Sequence, residues 1–457
     1  MSEAKSPAGS SAISRAVPPK VDGQWRQLPP DSLHYNQDWY PVRRLLFSKW
    51  IDVVDGIPAE NEAIRKLSDH FWEGDPLMDD VADMFRRHSG GRGRKMFEQA
   101  LEQGIDTLDN PPRELVALFD QLDRVPDWIS REQVDRGAVV AANVTAAGKA
   151  AGVFLNTLQT VQGGMVGAVV GATGRMQRDV LQRARESAAF WLHLPEPGGL
   201  SRYGTAFKTI VRVRLMHSQA RLMLMRKWGA DWIADHGNPI PNAGLVAGIP
   251  TFGIVNLMYD AMFGKQYSHQ DMEDIHAFWS YIGYLLGGAE EIIPRTPEDG
   301  IRILDFALSV VPPPSQYAEE LNKVSNLLLD AMLNSFSLPL LDKQVKSLLL
   351  QALHGFYFYV GGNFLGARIT ETSKPTWIGR AVPPMVRVLV RLSNLECWLP
   401  GRASRRERNR QQGDPFWLML SGQFDRLAEQ QKDYRQARFN AHDESRPDEM
   451  GEAWRES

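Results

Sequence analysis

Helical periodicity runs through almost the whole sequence and leaves little room for a sheet. Apolar residues recur at intervals of three and four between separators rich in Pro and Gly, such as 195–199, 237–239 and 311–314. We find no convincing run of alternating apolar and polar residues that would predict a strand. The pattern therefore predicts an all-α fold, built as a single large multi-helix domain.

The predicted domain runs from about residue 35 to 440, because no Ser-, Gly- or Pro-rich linker divides the middle of the 457 residues. We expect residues 1–34 to form a disordered N-terminal arm and residues 441–457 a disordered tail. The first twenty residues lack the apolar core of a secretory signal. The most apolar stretches, 138–174 and 244–264, are interrupted by polar residues, so no transmembrane helix is predicted and the cytoplasm is the expected compartment.

Composition excludes several classes of function. The formal net charge is -3 and the pI about 6.4, which gives no reason to expect a nucleic acid as partner. A single cysteine, Cys397, excludes an internal disulfide and any metal cage built from cysteines. Nucleotide-binding glycine loops, a nucleophile elbow and a His-Glu-x-x-His motif are all missing. Metal chemistry would therefore need His, Asp, Glu or a bound cofactor.

The helix predicted over residues 205–233 carries the most informative pattern. One mainly apolar face holds His217, with Arg214 one turn before it and Arg221 one turn after it. A guanidinium inside an apolar interface needs an anion, and the propionates of haem would supply one for each arginine, with His217 facing the iron. The alternative is a hydrogen-bonded core histidine with arginines that reach solvent.

Several short strings, in order and spacing, resemble the MpaB and latex-clearing (rubber oxygenase) family. They lie at 188–191, 196–199, 212–221, 248–251 and 278–287, and the resemblance is strongest over residues 70–310. It implies a helical fold with a globin-like core, haem b as cofactor, and the histidine of an Arg-x-x-His-x-x-x-Arg string as proximal iron ligand. In this sequence Arg214, His217 and Arg221 occupy those positions.

The same resemblance implies polar groups on the opposite side of the haem. Arg183 and Ser187 are the nearest matches to the family's distal arginine and threonine, whereas Glu186 stands where latex-clearing members have a lysine. That departure puts lysine coordination in doubt. The alternative for residues 183–187 is a charged, exposed helix face.

By resemblance, the expected function is a haem b-dependent oxygenase. It would use O2 to cleave a carbon–carbon double bond in an apolar unsaturated small molecule or polyisoprenoid, held by a pocket built from residues 139–173 and 244–263. The arginine-rich segment 402–413 is predicted to be a solvated loop, and peripheral contact of this segment with an anionic membrane stays open.

Two other classes of function remain. One is a helical di-iron carboxylate oxidase that uses Glu273, His276 and the pair Glu290 and Glu291, although such sites need two Glu-x-x-His pairs and this chain has one. The other is a non-catalytic protein that binds haem or an apolar ligand.

Overall fold

The computed structural model of the chain describes residues 17–19, 24–335 and 342–441. Within these residues the chain forms α-helices and short 3-10 helices, and no strand. The predicted all-α class and single large helical domain are confirmed.

Ten helices make up the N-terminal part of the domain. They are α1 (Tyr40–Phe47), α2 (Glu62–Asp69), α3 (Pro76–Arg87), α4 (Arg92–Gln103), α5 (Arg113–Asp123), α6 (Arg131–Ala142), α7 (Ala146–Gln162), α8 (Gly164–Thr173), α9 (Arg175–Arg178) and α10 (Val180–His193). Side-chain caps start several of them, because Asn, Asp, Ser or Thr accepts a hydrogen bond from a first-turn amide that has no partner within the helix. These capping residues are Asn61, Asp75, Ser130, Thr145 and Asp179.

The remaining helices follow a turn-rich segment at residues 194–204. They are α11 (Thr205–His236), α12 (Asn242–Phe252), α13 (Ile254–Met262), α14 (His269–Leu285), α15 (Pro297–Ser309), α16 (Ala318–Ser335), α17 (Asp342–Thr370), α18 (Trp377–Ser393), α19 (Arg402–Gln412) and α20 (Pro415–Ala441). Ser268 and Asp271 cap α14 reciprocally, each side chain bonding to the other residue's amide.

Helix α11 is the longest of the described helices and organises the site. It contacts α3, α8, α10 and α14. The helix is interrupted at Gly229, where φ is 81°, a left-handed value that favours glycine over residues with a side chain. The segment before this break carries Arg214, His217 and Arg221, so all three side chains lie on one uninterrupted stretch of helix.

The glycine-rich apolar region at 130–173 forms three helices. Helices α6 and α7 meet at an angle of 96°, and α8 begins immediately after Gly163. The corner between α6 and α7 is fixed by the buried carboxylate of Asp260, which accepts hydrogen bonds from the amide and the hydroxyl of Thr145. Helices α7 and α13 therefore pack together in the core.

One continuous apolar stretch, Asn242–Met262, is long and apolar enough to cross a membrane. It comprises α12 and α13, and 67% of its most apolar window is buried inside the fold. The bent pair α6 and α7 passes the same test only if both helices are counted as one span. Core helices of globular proteins meet these criteria as well, so the finding is weak evidence for a span.

The ends of the predicted domain are only partly described. Residues 1–16, 20–23 and 442–457 lie outside the described residues, so the predicted disorder of the arm and of most of the tail is not addressed. Arg26 binds the end of α2 and the turn after it, where its amide donates to Asp69 and its guanidinium pairs with Glu73, and the 3-10 turn Pro30–Leu33 contacts α11.

The arginine-rich segment 402–413 differs from its prediction. It forms helix α19 instead of a solvated loop, and Arg410 is buried. Arg410 donates to the carbonyl oxygen of Pro195 and pairs with Asp135, while Arg406 pairs with Asp271. These partners lie far away in sequence, which is why the local charge run did not reveal them.

Candidate functional site

Two buried ion pairs join α11 to α3. The guanidinium of Arg214 binds the carboxylate of Asp75 in a bidentate fashion, with Nε–Oδ2 and Nη2–Oδ1 distances of 2.6 and 2.9 Å. Two turns further along α11, Arg221 binds Asp79 through Nε at 3.0 Å and through Nη2. Both arginines are only 2% exposed. The anions that these guanidinium groups require are therefore carboxylates of the protein.

Further hydrogen bonds complete this interface. Nη1 of Arg214 donates to Oε1 of Gln121 at 2.7 Å, and Nη1 of Arg221 donates to the carbonyl oxygen of Ile240 at 3.2 Å. The hydroxyl of Ser218 donates to Asp79. Burial raises the pKa of Asp79, and its bonds to Arg221 and Ser218 oppose that rise.

Two glycines allow the close approach of backbone and guanidinium. A Cβ at Gly74 would lie 2.3 Å from Nε of Arg221, and a Cβ at Gly287 would lie 2.7 Å from Nε of Arg214. Any larger residue at either position would displace an ion pair. The three segments around residues 74, 214–221 and 287 are thus fitted to each other as one rigid unit.

His217 lies between the two arginines on α11 and, unlike them, has a buried polar atom without a hydrogen bond among the described residues. Its side chain is half-buried, and its buried Nδ1 atom has no hydrogen-bond partner among the described residues. Burial lowers the pKa of His217 to about 4, and the positive charges of Arg221 and Arg183 lower it further. The imidazole is therefore neutral at pH 7 and retains a free lone pair on one nitrogen.

The surroundings of His217 are apolar but incompletely covered. On α11, Val213, Met216 and Ala220 are half-buried, as are most side chains of the neighbouring α8. Val166 of α8 is exposed. Half-covered apolar residues around a neutral imidazole form a surface that an apolar planar ligand would complete.

Arg183 and Ser187 lie one turn apart on α10, which contacts α11. Arg183 makes no ion pair or hydrogen bond with another described side chain, although its neighbours Arg185 and Glu186 are paired with Asp425 and Arg175. The hydroxyl of Ser187 makes no hydrogen bond within the described residues. The positive charge of Arg183 lies near enough to His217 to lower the pKa of that histidine.

The two apolar segments predicted to build a substrate pocket do pack together. Between them lies a cavity of about 50 Å³, whose aromatic wall consists of Trp191, Phe252, Trp279 and Trp417. This volume holds one or two water molecules and no isoprenoid chain. A second cavity, of about 490 Å³, lies between α1, α13 and the start of α14. His217 lines neither of these two cavities.

The four residues of the di-iron alternative are engaged separately, and Glu273 lies 3.7 Å from Nε2 of the exposed His269. His276 is buried and its Nε2 bonds to the carbonyl oxygen of Pro294 at 2.9 Å. Glu290 binds Arg124 and Trp128, whereas Glu291 pairs with His70. No group of three metal-ligating side chains occurs within the described residues. The grouping of carboxylates around His276 that the di-iron alternative requires therefore does not occur within the described residues.

Asp75 and Asp79 were missed by the sequence reasoning. A partial signal was present, because the two carboxylates share one face of their helix and the two arginines share one face of theirs. Recognising it would have required knowledge that α3 and α11 are neighbours. Nothing in the spacing of either segment alone provides that.

Comparisons with known proteins place the chain in a family. The model for the catalytic domain of "ER-bound oxygenase mpaB/B'/Rubber oxygenase" matches residues 138–394, more than half of the chain. No curated protein sequence matches the chain. The structure "Latex Clearing Protein LCP in the closed state" is similar in fold, with a TM-score of 0.53 and 16% identity over 79% of this chain and 91% of that one. The chain therefore belongs to the MpaB and rubber oxygenase family, and Arg183, Ser187 and His217 lie within its catalytic domain.

Proposed function

We propose that this protein is a haem b-dependent oxygenase that uses O2 to cleave a carbon–carbon double bond in an apolar, isoprenoid-like substrate. One observation carries the cofactor part of the proposal. In a member of an oxygenase family, a neutral imidazole presents a buried, unpartnered nitrogen on a helix whose other buried polar groups are paired. Burial of such a nitrogen is costly unless a ligand or metal completes its bonding.

His217 has the chemistry that an axial iron ligand requires. Iron binds the neutral imidazole, and a pKa of about 4 keeps His217 neutral throughout the physiological range. The half-buried apolar residues Val213, Met216 and Ala220 offer a lining suited to a porphyrin face. The residues present therefore fit a haem group held by His217.

The proposed role of Arg214 and Arg221 differs from direct propionate binding. That expectation rested on their need for anions, and Asp75 and Asp79 supply those anions. We propose that the two arginines position the ligand helix instead, because each fixes α11 against α3 on either side of His217. A helix held at both points restrains the orientation of the imidazole between them.

Arg183 and Ser187 are proposed as donors toward the reacting oxygen. Among the described residues Arg183 has no carboxylate partner, and the hydroxyl of Ser187, one turn further along α10, makes no hydrogen bond. Donors without partners in the protein are available to stabilise negative charge that develops during a reaction. When bound, the haem would supply the activation of O2, which protein side chains do not provide. The substrate class is proposed from family membership and from the apolar side chains around His217.

The test is turnover by the haem-loaded protein. Squalene, as an unsaturated isoprenoid, is supplied in detergent micelles, and both O2 uptake and carbonyl products trapped by a hydrazine reagent are measured. The proposal predicts O2-dependent carbonyl formation by the wild type and none by His217→Ala. His193→Ala is the matched control, since His193 is a partly exposed histidine bonded to Glu196 on α10.

Haem binding without turnover on squalene or on shorter isoprenoid alkenes would contradict the oxygenase proposal. It would instead favour the non-catalytic haem-binding alternative. Carbonyl formation that persists in His217→Ala would contradict the assignment of the ligand.

A further inference from the structure

Helix α18 exposes an apolar face that the proposed reaction does not use. From residue 385 to the following 3-10 turn, large exposed apolar side chains recur at helical spacing, and Trp377 lies about two turns before them. Trp398 is 87% exposed, Trp377 77% and Leu389 67%. We name this surface the α18 stripe, and its members are Trp377, Met385, Val388, Leu389, Leu392, Leu395, Trp398 and Leu399.

The opposite face of α18 packs against the domain, and this packing holds the stripe facing outward. Gly379 crosses Gly355 of α17 so closely that a Cβ at Gly355 would lie 2.0 Å from the Gly379 carbonyl oxygen. At the other end, Lys265 pairs with Glu396 at 2.8 Å. An exposed apolar stripe on a firmly packed helix is characteristic of an interaction surface.

Basic residues flank the stripe. Arg380, Arg387 and Arg391 follow one edge of it at helical spacing, and none forms an ion pair with a described residue. Residues 374–410 contain nine Lys or Arg and two Asp or Glu. Glu396, the one acidic residue between positions 374 and 401 of the sequence, is already paired with Lys265. The surface therefore combines apolar side chains with uncompensated positive charge.

We propose that the α18 stripe docks the protein onto the surface of a membrane that contains anionic phospholipids. Three features favour this partner. A large apolar face bordered by arginines matches helices that lie in the interface plane of a bilayer. Tryptophan at both ends of the stripe matches the residues enriched at the depth of lipid headgroups. The unpaired arginines would meet the phosphates of the anionic lipids.

A second copy of the chain fits this surface less well. In a two-fold dimer the same patch meets itself, so the arginine edges of both copies would be brought to one interface. Like charges at an interface disfavour association, whereas the anionic lipid surface attracts them. Charge therefore selects the membrane over self-association.

The stripe also borders the larger cavity. Lys265 and Gln266 line that cavity of about 490 Å³, and the same two residues bond to Glu396 and Asn394 beneath the stripe. An apolar molecule that leaves the bilayer at the docked face would thus meet a mostly apolar cavity. This placement suits a protein that takes an apolar compound from a membrane.

The experiment is flotation of the full-length protein with vesicles of phosphatidylcholine alone or with added phosphatidylserine. We expect the wild type to float with the mixed vesicles and to bind pure phosphatidylcholine more weakly. Arg380→Gln combined with Arg387→Gln should lower binding to the mixed vesicles about 25-fold, because each basic residue near an anionic surface contributes about fivefold. Leu389→Ser combined with Trp398→Ser should lower binding to both kinds of vesicle.

Leu327→Ser is the matched control, since Leu327 on α16 is 66% exposed and lies outside the stripe. It should float like the wild type, as should His217→Ala, so the result is independent of the haem proposal. Thermal unfolding verifies that each variant is folded. Absence of vesicle binding by the wild type, or equal loss in Leu327→Ser and the stripe variants, would overturn the proposal. A dimer in sedimentation equilibrium that dissociates in Leu389→Ser, without vesicle binding, would assign the stripe to a second copy.

Discussion

Helix α11 carries buried polar groups of two kinds within two turns. Toward α3, Arg214, Ser218 and Arg221 are all bonded to carboxylates. Toward α10, the buried Nδ1 of His217 has no hydrogen-bond partner within the described residues. Folded proteins pair nearly all buried polar groups, so the first side accounts for stability and the second side calls for a ligand. The contrast is informative because both sides share one helix and its local environment.

The largest expected effect on stability comes from the ion pairs between α11 and α3. Arg214→Ala leaves the Asp75 carboxylate buried without its cation, so the free energy of unfolding should fall by about 3–5 kcal/mol. Arg212→Ala is the control on the same helix, because Arg212 pairs with Glu98 and Glu102 at the surface and should cost less than about 1 kcal/mol. Urea unfolding of the haem-free protein measures both. Equal losses of unfolding free energy in the two variants would contradict the prediction that the buried ion pair contributes more than the exposed one.

A pH effect on stability is expected at His276, which is buried whereas His217 is half-buried. Burial lowers the pKa of His276 to about 4, whereas in the unfolded chain it is near 6.5. Between these values the unfolded chain takes up a proton that the folded protein does not. Stability is therefore full above about pH 6.5 and falls toward pH 4, by up to about 1.4 kcal/mol per pH unit for this group.

His276→Gln should make that slope shallower, since a Gln amide can replace the bond to the Pro294 carbonyl without titrating. The midpoints of urea unfolding between pH 7.5 and 4.5 measure this pH dependence for the wild type and the variant. An unchanged slope would show that His276 already titrates at its ordinary pKa in the folded protein.

A smaller effect of opposite sign is expected at His217. His217→Leu removes a buried nitrogen that has no partner and keeps most of the volume. The haem-free protein should become more stable by about 1 kcal/mol, because the cost of the unsatisfied group is relieved. Ser218→Ala, one residue away, should instead destabilise by about 1–2 kcal/mol, since it removes a hydrogen bond to Asp79. Destabilisation by both changes would contradict the assignment of His217 to a ligand.

The smallest effect is expected at Arg183. Arg183→Gln removes a positive charge that lowers the pKa of His217, so this pKa should rise slightly in the haem-free protein. The free energy of unfolding should change by less than about 0.5 kcal/mol, because no ion pair is lost. An NMR titration measures the pKa of His217, and urea unfolding measures the change in stability. A large loss of stability would mean that Arg183 has a structural partner.

The fold class followed from periodicity, because spacing of apolar residues is a local property. The same holds for the long helix, predicted over residues 205–233 and observed over 205–236, and for His217 as its most unusual side chain. The partners of Arg214 and Arg221 could not follow, since Asp75 and Asp79 lie about 140 residues away in the chain. Segment 402–413 was misjudged for the same reason, as its arginines are paired with Asp135 and Asp271.

The most direct test is the absorption spectrum of the protein after haem is supplied, compared between wild type, His217→Ala and His193→Ala. We expect an intense Soret band in the wild type and in His193→Ala, and its loss in His217→Ala. A colourless wild type, or a His217→Ala variant that keeps the band and its haem affinity, would contradict the claim that the unpartnered imidazole of α11 holds the iron.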